Sequence, residues 1–100
     1  MDEFSVMMTP RAYRDLDGIY QYILDNFKET DTAKKLIQLL EKAIYALNTL
    51  PHRGAPRKTG TFANKNYRQI FVKNFTVVYR IEDKRKQVIV VAIKYTPSNF

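Results

Sequence analysis

The sequence predicts an α+β domain of order β-α-α-β-β-β, a helical hairpin packed on a small, mainly antiparallel sheet. Three observations predict it. Residues 10–50 carry two apolar stripes at three-and-four spacing, separated by a short polar break. Residues 67–95 carry three segments rich in β-branched and aromatic side chains, joined by short polar turns. The 100 residues are 45% hydrophobic, enough for one core and too few for two, so the whole chain, 1–100, reads as a single domain.

Glu3 to Met8 reads as a short strand. Thr9 is placed to cap a helix and Pro10 to occupy its first position, where a missing N–H costs nothing. The stripe Ala12, Leu16, Ile19, Tyr20, Ile23, Leu24 and Phe27 predicts a helix from Pro10 to about Phe27, with Gly18 a local weakness of about 1 kcal/mol relative to alanine. After the break at Lys28 to Thr30, Thr30 or Asp31 is placed to cap a second helix. Its apolar positions are Ala33, Leu36, Ile37, Leu40, Ala43, Ile44, Leu47 and Leu50, and Pro51 stops it. A loop this short packs the two helices antiparallel, each covering a stripe that neither buries alone.

Tyr67 to Val72, Phe75 to Ile81 and Gln87 to Tyr95 read as an antiparallel meander. Lys73-Asn74 is a two-residue connection, with asparagine tolerant of the left-handed conformation a tight hairpin needs, and Glu82 to Lys86 is a charged turn. The unbroken apolar run Val88 to Ile93 suits a strand covered on both faces and central in the sheet, which the N-terminal strand is expected to join. His52 to Asn66 has loop composition, with one short extended piece near Lys58 to Phe62. Loops of this length carry function more often than short ones.

Charge is distributed unevenly. Pro51 to Arg80 holds seven basic side chains (Arg53, Arg57, Lys58, Lys65, Arg68, Lys73 and Arg80), the single histidine and no acid, whereas residues 1–50 are net −2. The +7 of the chain therefore lies downstream of the helices, a field that attracts nucleic acid or an acidic protein. With no cysteine, neither disulfides nor a thiolate zinc site are available, and one histidine without a carboxylate pair in the basic half leaves no metal-ligand set. Gly54 and Gly60 are followed by no phosphate-loop signature, and no cofactor is implied. The N-terminus MDEFSVMMTPR lacks the basic start and apolar run of a signal peptide, and no stretch reaches the roughly 18 apolar residues of a membrane span. A cytoplasmic protein without a membrane partner is expected.

A strand ending in TPRA, a helix DLDGIYQYI, a second helix ending AIYALNTLPHRGAPR, then YRQIFVKNFTVVYRIED and an apolar final strand resemble the RelE/ParE superfamily of bacterial toxins over nearly the whole chain. The most specific pieces are Leu50-Pro51 followed by Arg53-Gly54 and Pro56-Arg57, and Tyr67-Arg68 facing Val78-Tyr79-Arg80 across a hairpin. The resemblance implies the toxin of a type II toxin-antitoxin module, which arrests growth unless a cognate antitoxin, acidic or amphipathic in its neutralising segment, wraps it.

Two mechanisms follow from the resemblance. The RelE-like branch cleaves mRNA in the ribosome without metal, which needs a base, an acid and cations to stabilise the phosphorane. Arg68 and Arg80 are the candidate cations, gripping a phosphate together if the register sets them on one sheet face. Lys94 and Tyr95 are the candidate acid and base, with Tyr67 and His52 as further possibilities. Arg53, Arg57, Lys58, Lys65, Arg68 and Lys73 are the candidate nucleic-acid or target contacts. Against cleavage, Thr76 stands where RelE-like nucleases resemble one another in carrying arginine, and the chain ends IKYTPSNF without their Arg-rich stretch. The ParE-like branch has a long helical hairpin and blocks DNA gyrase; on hairpin length and the missing residues it is preferred. A non-toxic basic nucleic-acid-binding module is the third reading.

Blander roles stand beside these. Arg68 and Arg80 also fit solvated strand residues, and His52 fits a surface or capping residue at a helix end. Tyr13, Tyr20, Tyr22 and Tyr45 fit packing between helices, and the alternation Val77, Tyr79, Ile81 puts Tyr79 in the core.

Overall fold

A computed structural model describes residues 3–28, 30–58, 63 and 66–97, without the side chain of Phe27. The chain runs β1 (Ser5–Met8), α1 (Pro10–Phe27), α2 (Thr30–Tyr45), two 3-10 turns (Ala46–Asn48 and Pro51–Arg53), β2 (Ala55–Pro56), β3 (Tyr67–Val72), β4 (Phe75–Glu82) and β5 (Gln87–Tyr95). One sheet of order β1-β5-β4-β3-β2 results, parallel only between β1 and β5. The expected α+β architecture is present, two helices packed on a five-stranded mixed sheet.

The start of α1 follows from Thr9. Its hydroxyl accepts the Ala12 N–H at 3.1 Å, its own N–H donates to the Val90 carbonyl at 3.0 Å, and Pro10 fills the first helical position. One residue thus ends β1, caps α1 and ties the join to β5. Lys28 closes α1 in the left-handed conformation, φ 53°, with its N–H donating to the Leu24 carbonyl. Thr30 is the first residue of α2, so the capping position expected at Thr30 or Asp31 falls on residue 29, outside the described residues.

The core lies between the helices and the sheet: Ala12, Leu40, Ile44 and Leu47 meet Ile70, Val72, Val77, Tyr79, Val88, Val90 and Ile93. Burying a side chain such as Leu40 or Ile44 contributes roughly 1.5–3 kcal/mol. A smaller cluster, Val78, Val91 and Ala92, occupies the opposite sheet face. Alternation along β4 separates the two, and a bulge opposite Val78/Tyr79 lets Val91 and Ala92 both join the second cluster.

Three expectations are corrected. The second helix stops at Tyr45, five residues before Leu50; the 3-10 turns that follow wind at three residues per turn and rotate Leu50 out of the stripe, 60% exposed. β5, by contrast, is interior, between β1 and β4, as the apolar run Val88 to Ile93 required. In the hairpin it is Lys73, φ 54°, that takes the left-handed conformation assigned to Asn74. Tyr13, Tyr22 and Tyr45 are exposed, because each lies off the apolar stripe of its helix, while Tyr20 is half-buried. The loop's short strand is Ala55–Pro56; residues 59–62 of the expected extended piece lie outside the described residues.

Candidate functional site

Two polar constellations sit at opposite ends of the sheet. At one end the chain leaving the helical hairpin turns through Pro51–Arg53 and Gly54 and is fastened to β3 and β4 from below. The Tyr79 hydroxyl, buried in the core, donates to the Pro51 carbonyl at 2.7 Å and accepts the Gly54 N–H at 3.0 Å. Arg68 donates through Nε to the Gly54 carbonyl at 3.0 Å, and through one terminal nitrogen to the same oxygen at 2.6 Å and to the His52 carbonyl at 3.1 Å. A β-carbon on Gly54 would lie 2.5 Å from the Tyr79 hydroxyl oxygen and 2.6 Å from the Gln69 carbonyl oxygen, so this close approach requires glycine.

The register decides how the two candidate arginines relate. Arg68 pairs with Tyr79 and Tyr67 with Arg80. Partners directly across an antiparallel pair share a face and neighbours along a strand alternate. Arg68 therefore lies on the helix-facing side with Tyr79, and Arg80 on the opposite side with Tyr67, contrary to the expected shared face. Arg80 forms an ion pair with Glu82, two residues along its own strand.

Arg57 is 9% exposed and donates to the Gln69 side-chain oxygen at 2.7 Å, while its backbone N–H donates to the Tyr67 carbonyl. Burial pulls its guanidinium below the ordinary arginine range, yet arginine keeps its proton in proteins at neutral pH. Arg53, Lys58 and Lys73 are exposed, and among the described residues their side chains make no hydrogen bond or ion pair. Lys65 lies outside the described residues. His52 is exposed, offering its carbonyl to Arg68.

Lys94 and Tyr95 stand at the far end, where β5 passes beside the Lys73–Asn74 turn. Lys94 pairs across the sheet with Thr76, three residues and about 10 Å along β4 from Tyr79. Its ammonium lies 3.5 Å from Asp15 Oδ1. Asp15 Oδ2 accepts the Ile93 N–H at 3.0 Å, so this carboxylate from α1 closes the edge of β5 that β1 leaves unpaired. Tyr95 meets Phe75 edge-on, ring centres 5.8 Å apart, at the mouth of a largely apolar groove of about 700 Å³ between α1 and the sheet. Thr76 is buried, its hydroxyl 2.9 Å from that of Thr96.

The four residues expected to share one chemistry thus occupy three places: Arg68 under the turn, Arg80 on the opposite face, and Lys94 with Tyr95 at the far end. What sequence reasoning missed is the polar role of Tyr79 and Gly54. The signal was present as Leu50-Pro51 followed by Arg53-Gly54, since a glycine at a fixed step after a helix-ending proline marks a close backbone approach.

A family model described as ParE toxin of type II toxin-antitoxin system, parDE, matches residues 6–99. No curated protein sequence matches the chain. Among solved structures the fold is similar to the chromosomal ParDE system of P. aeruginosa, TM-score 0.76 at 21% identity, covering 93% of this chain and 96% of that one. It is also similar to the RelBE2 toxin-antitoxin complex of Mycobacterium tuberculosis, TM-score 0.65 at 21% identity, covering 95% and 93%. A mutant of the E. coli toxin RelE in the free state gives TM-score 0.61 at 17% identity, covering 97% and 86%. At these identities the likenesses speak for the fold. The family match spans almost the whole chain: it belongs to the ParE toxins of type II toxin-antitoxin systems.

Proposed function

We propose that this toxin arrests bacterial growth by binding and blocking DNA gyrase, without cleaving RNA, and that a cognate antitoxin neutralises it. The observation that carries the reading is the dispersal of the candidate chemical groups. Cleavage at a ribose 2′-hydroxyl needs base, acid and cation within hydrogen-bond reach of one phosphate. Here Arg68 is committed to two backbone carbonyls and Arg80 lies across the sheet from it. Lys94 faces Asp15 about 10 Å further along the strand direction. Binding needs no such convergence. The exposed cations Arg53, Lys58 and Lys73, with Lys65, supply the field that draws in a large anionic complex.

Induction in bacteria is expected to arrest growth, with supercoiling by purified gyrase inhibited and mRNA 5′ ends unchanged. Codon-periodic 5′ ends without loss of supercoiling would refute this in favour of a ribosome-dependent endoribonuclease. Co-expression with the antitoxin should restore growth, and the association rate of the pair should fall as salt rises.

A further inference from the structure

Leu50, His52 and Arg53 form an exposed knuckle where the helical hairpin meets the sheet, and the fold commits buried groups to holding it still. Leu50 leaves the apolar stripe of its helix and stands in solvent, and the Arg53 guanidinium has no partner among the described residues. Beneath them the Tyr79 hydroxyl, the three Arg68 hydrogen bonds and the absent side chain of Gly54 fix the path of the backbone. A solvated turn needs no such fixing. Rigidity at an exposed tip reduces the ordering cost of binding.

The chemistry of the tip selects the partner. Binding a phosphate backbone draws on several cations at once. A leucine beside one unpaired arginine instead matches a protein surface with an acidic side chain next to an apolar depression, since arginine is enriched among the residues that dominate protein interfaces.

We propose that the Leu50–Arg53 knuckle is a contact this toxin makes with the acidic, partly apolar surface of its protein target, and that Arg68, Tyr79 and Gly54 are positioning residues for it. The proposal rests on the reading of the chain as a toxin that acts by binding. It gives the +7 field a specific end point: the general charge steers, and the knuckle docks.

The test uses the full toxin in two assays, inhibition of supercoiling by purified gyrase and growth arrest on induction, with melting temperature and antitoxin binding as controls. Leu50→Ser/Arg53→Glu is expected to raise the half-inhibitory concentration at least about tenfold and to abolish growth arrest, with the melting temperature and antitoxin binding unchanged. Arg53→Ala alone should act mainly by speeding dissociation from gyrase, lowering the salt dependence of association only slightly. Tyr79→Phe, which keeps the knuckle side chains but releases the turn, should weaken inhibition while leaving that salt dependence in place. Lys34→Ala, on exposed α2, should match wild type in both assays. A folded double variant as potent as wild type overturns the proposal. So does a double variant that still arrests growth but no longer binds antitoxin, which would assign the knuckle to the antitoxin. If the wild-type toxin arrests growth yet leaves gyrase untouched, the gyrase reading fails on its own, and growth arrest by the same double variant still decides the knuckle.

Discussion

The two ends of the sheet use similar residue types to opposite effect. At the Pro51–Gly54 end, an arginine and a tyrosine point at backbone atoms 2.6–3.1 Å away, and the turn above them leaves no room even for a β-carbon. At the Phe75–Tyr95 end, a lysine and a tyrosine border an open groove, and Asp15, the one carboxylate among its described lining residues, serves a strand edge. A basic residue in this chain is therefore read by its acceptor: Arg68 ends on carbonyls and shapes the fold, Arg80 and Lys94 end on carboxylates, and Arg53 ends in solvent. Positive charge in the sequence is a mixture of these, and only the last kind is free for a partner.

Substitutions at the two ends should separate these roles. The largest effect is expected from Gly54→Ala, whose new carbon meets the Gln69 backbone. A loss of about 3 kcal/mol, lowering the melting temperature by more than about 10 °C, is expected in a thermal melt. A wild-type melting temperature would show that the turn yields easily and would erase the contrast. Tyr79→Phe comes next, at about 1–3 kcal/mol by urea titration, because the Pro51 carbonyl and Gly54 N–H lose their partner in a buried place.

At the other end Asp15→Ala should cost about 1–2 kcal/mol in the same titration, chiefly through the Ile93 N–H. Hydrogen exchange at Ile93 should rise with it, and exchange left at the wild-type rate would show that the carboxylate is not closing the edge. The smallest change is expected from Arg80→Ala. Its pair with Glu82 is partly exposed and adjacent on one strand, so the loss should stay below about 1 kcal/mol and shrink further in high salt. A loss as large as that for Tyr79→Phe would mean that Arg80 also holds the fold.

Much of the architecture was legible because it rests on local chemistry. Thr9-Pro10 announces a helix start whatever surrounds it, and the spacing from Ala12 to Ile23 defines one buried stripe. The strands Tyr67–Val72 and Gln87–Tyr95 appear at the expected residues because β-branched and aromatic runs are bounded by clear turns. The site was less legible. Arg68 and Arg80 look equivalent in sequence, each beside a tyrosine in a strand, yet the two-residue turn Lys73-Asn74 already sets Arg68 opposite Tyr79 and so puts Arg80 on the other face, which the expectation of a shared face overlooked.

The order of elements, the separation of an acidic helical half from a basic sheet half, the membership of Tyr79 in the core and the opposite faces of Arg68 and Arg80 follow from local pattern, because periodicity, charge and turn length are properties of neighbours along the chain. Folding alone settles that Tyr79 and Arg68 reach back to the turn after Pro51, and that Leu50 leaves the stripe its spacing continues. Those outcomes depend on where the second helix ends and on how the Pro51–Gly54 turn seats against β3 and β4. The seating rests on hydrogen bonds between residues 14 to 28 positions apart, which neither periodicity nor turn chemistry along the chain encodes.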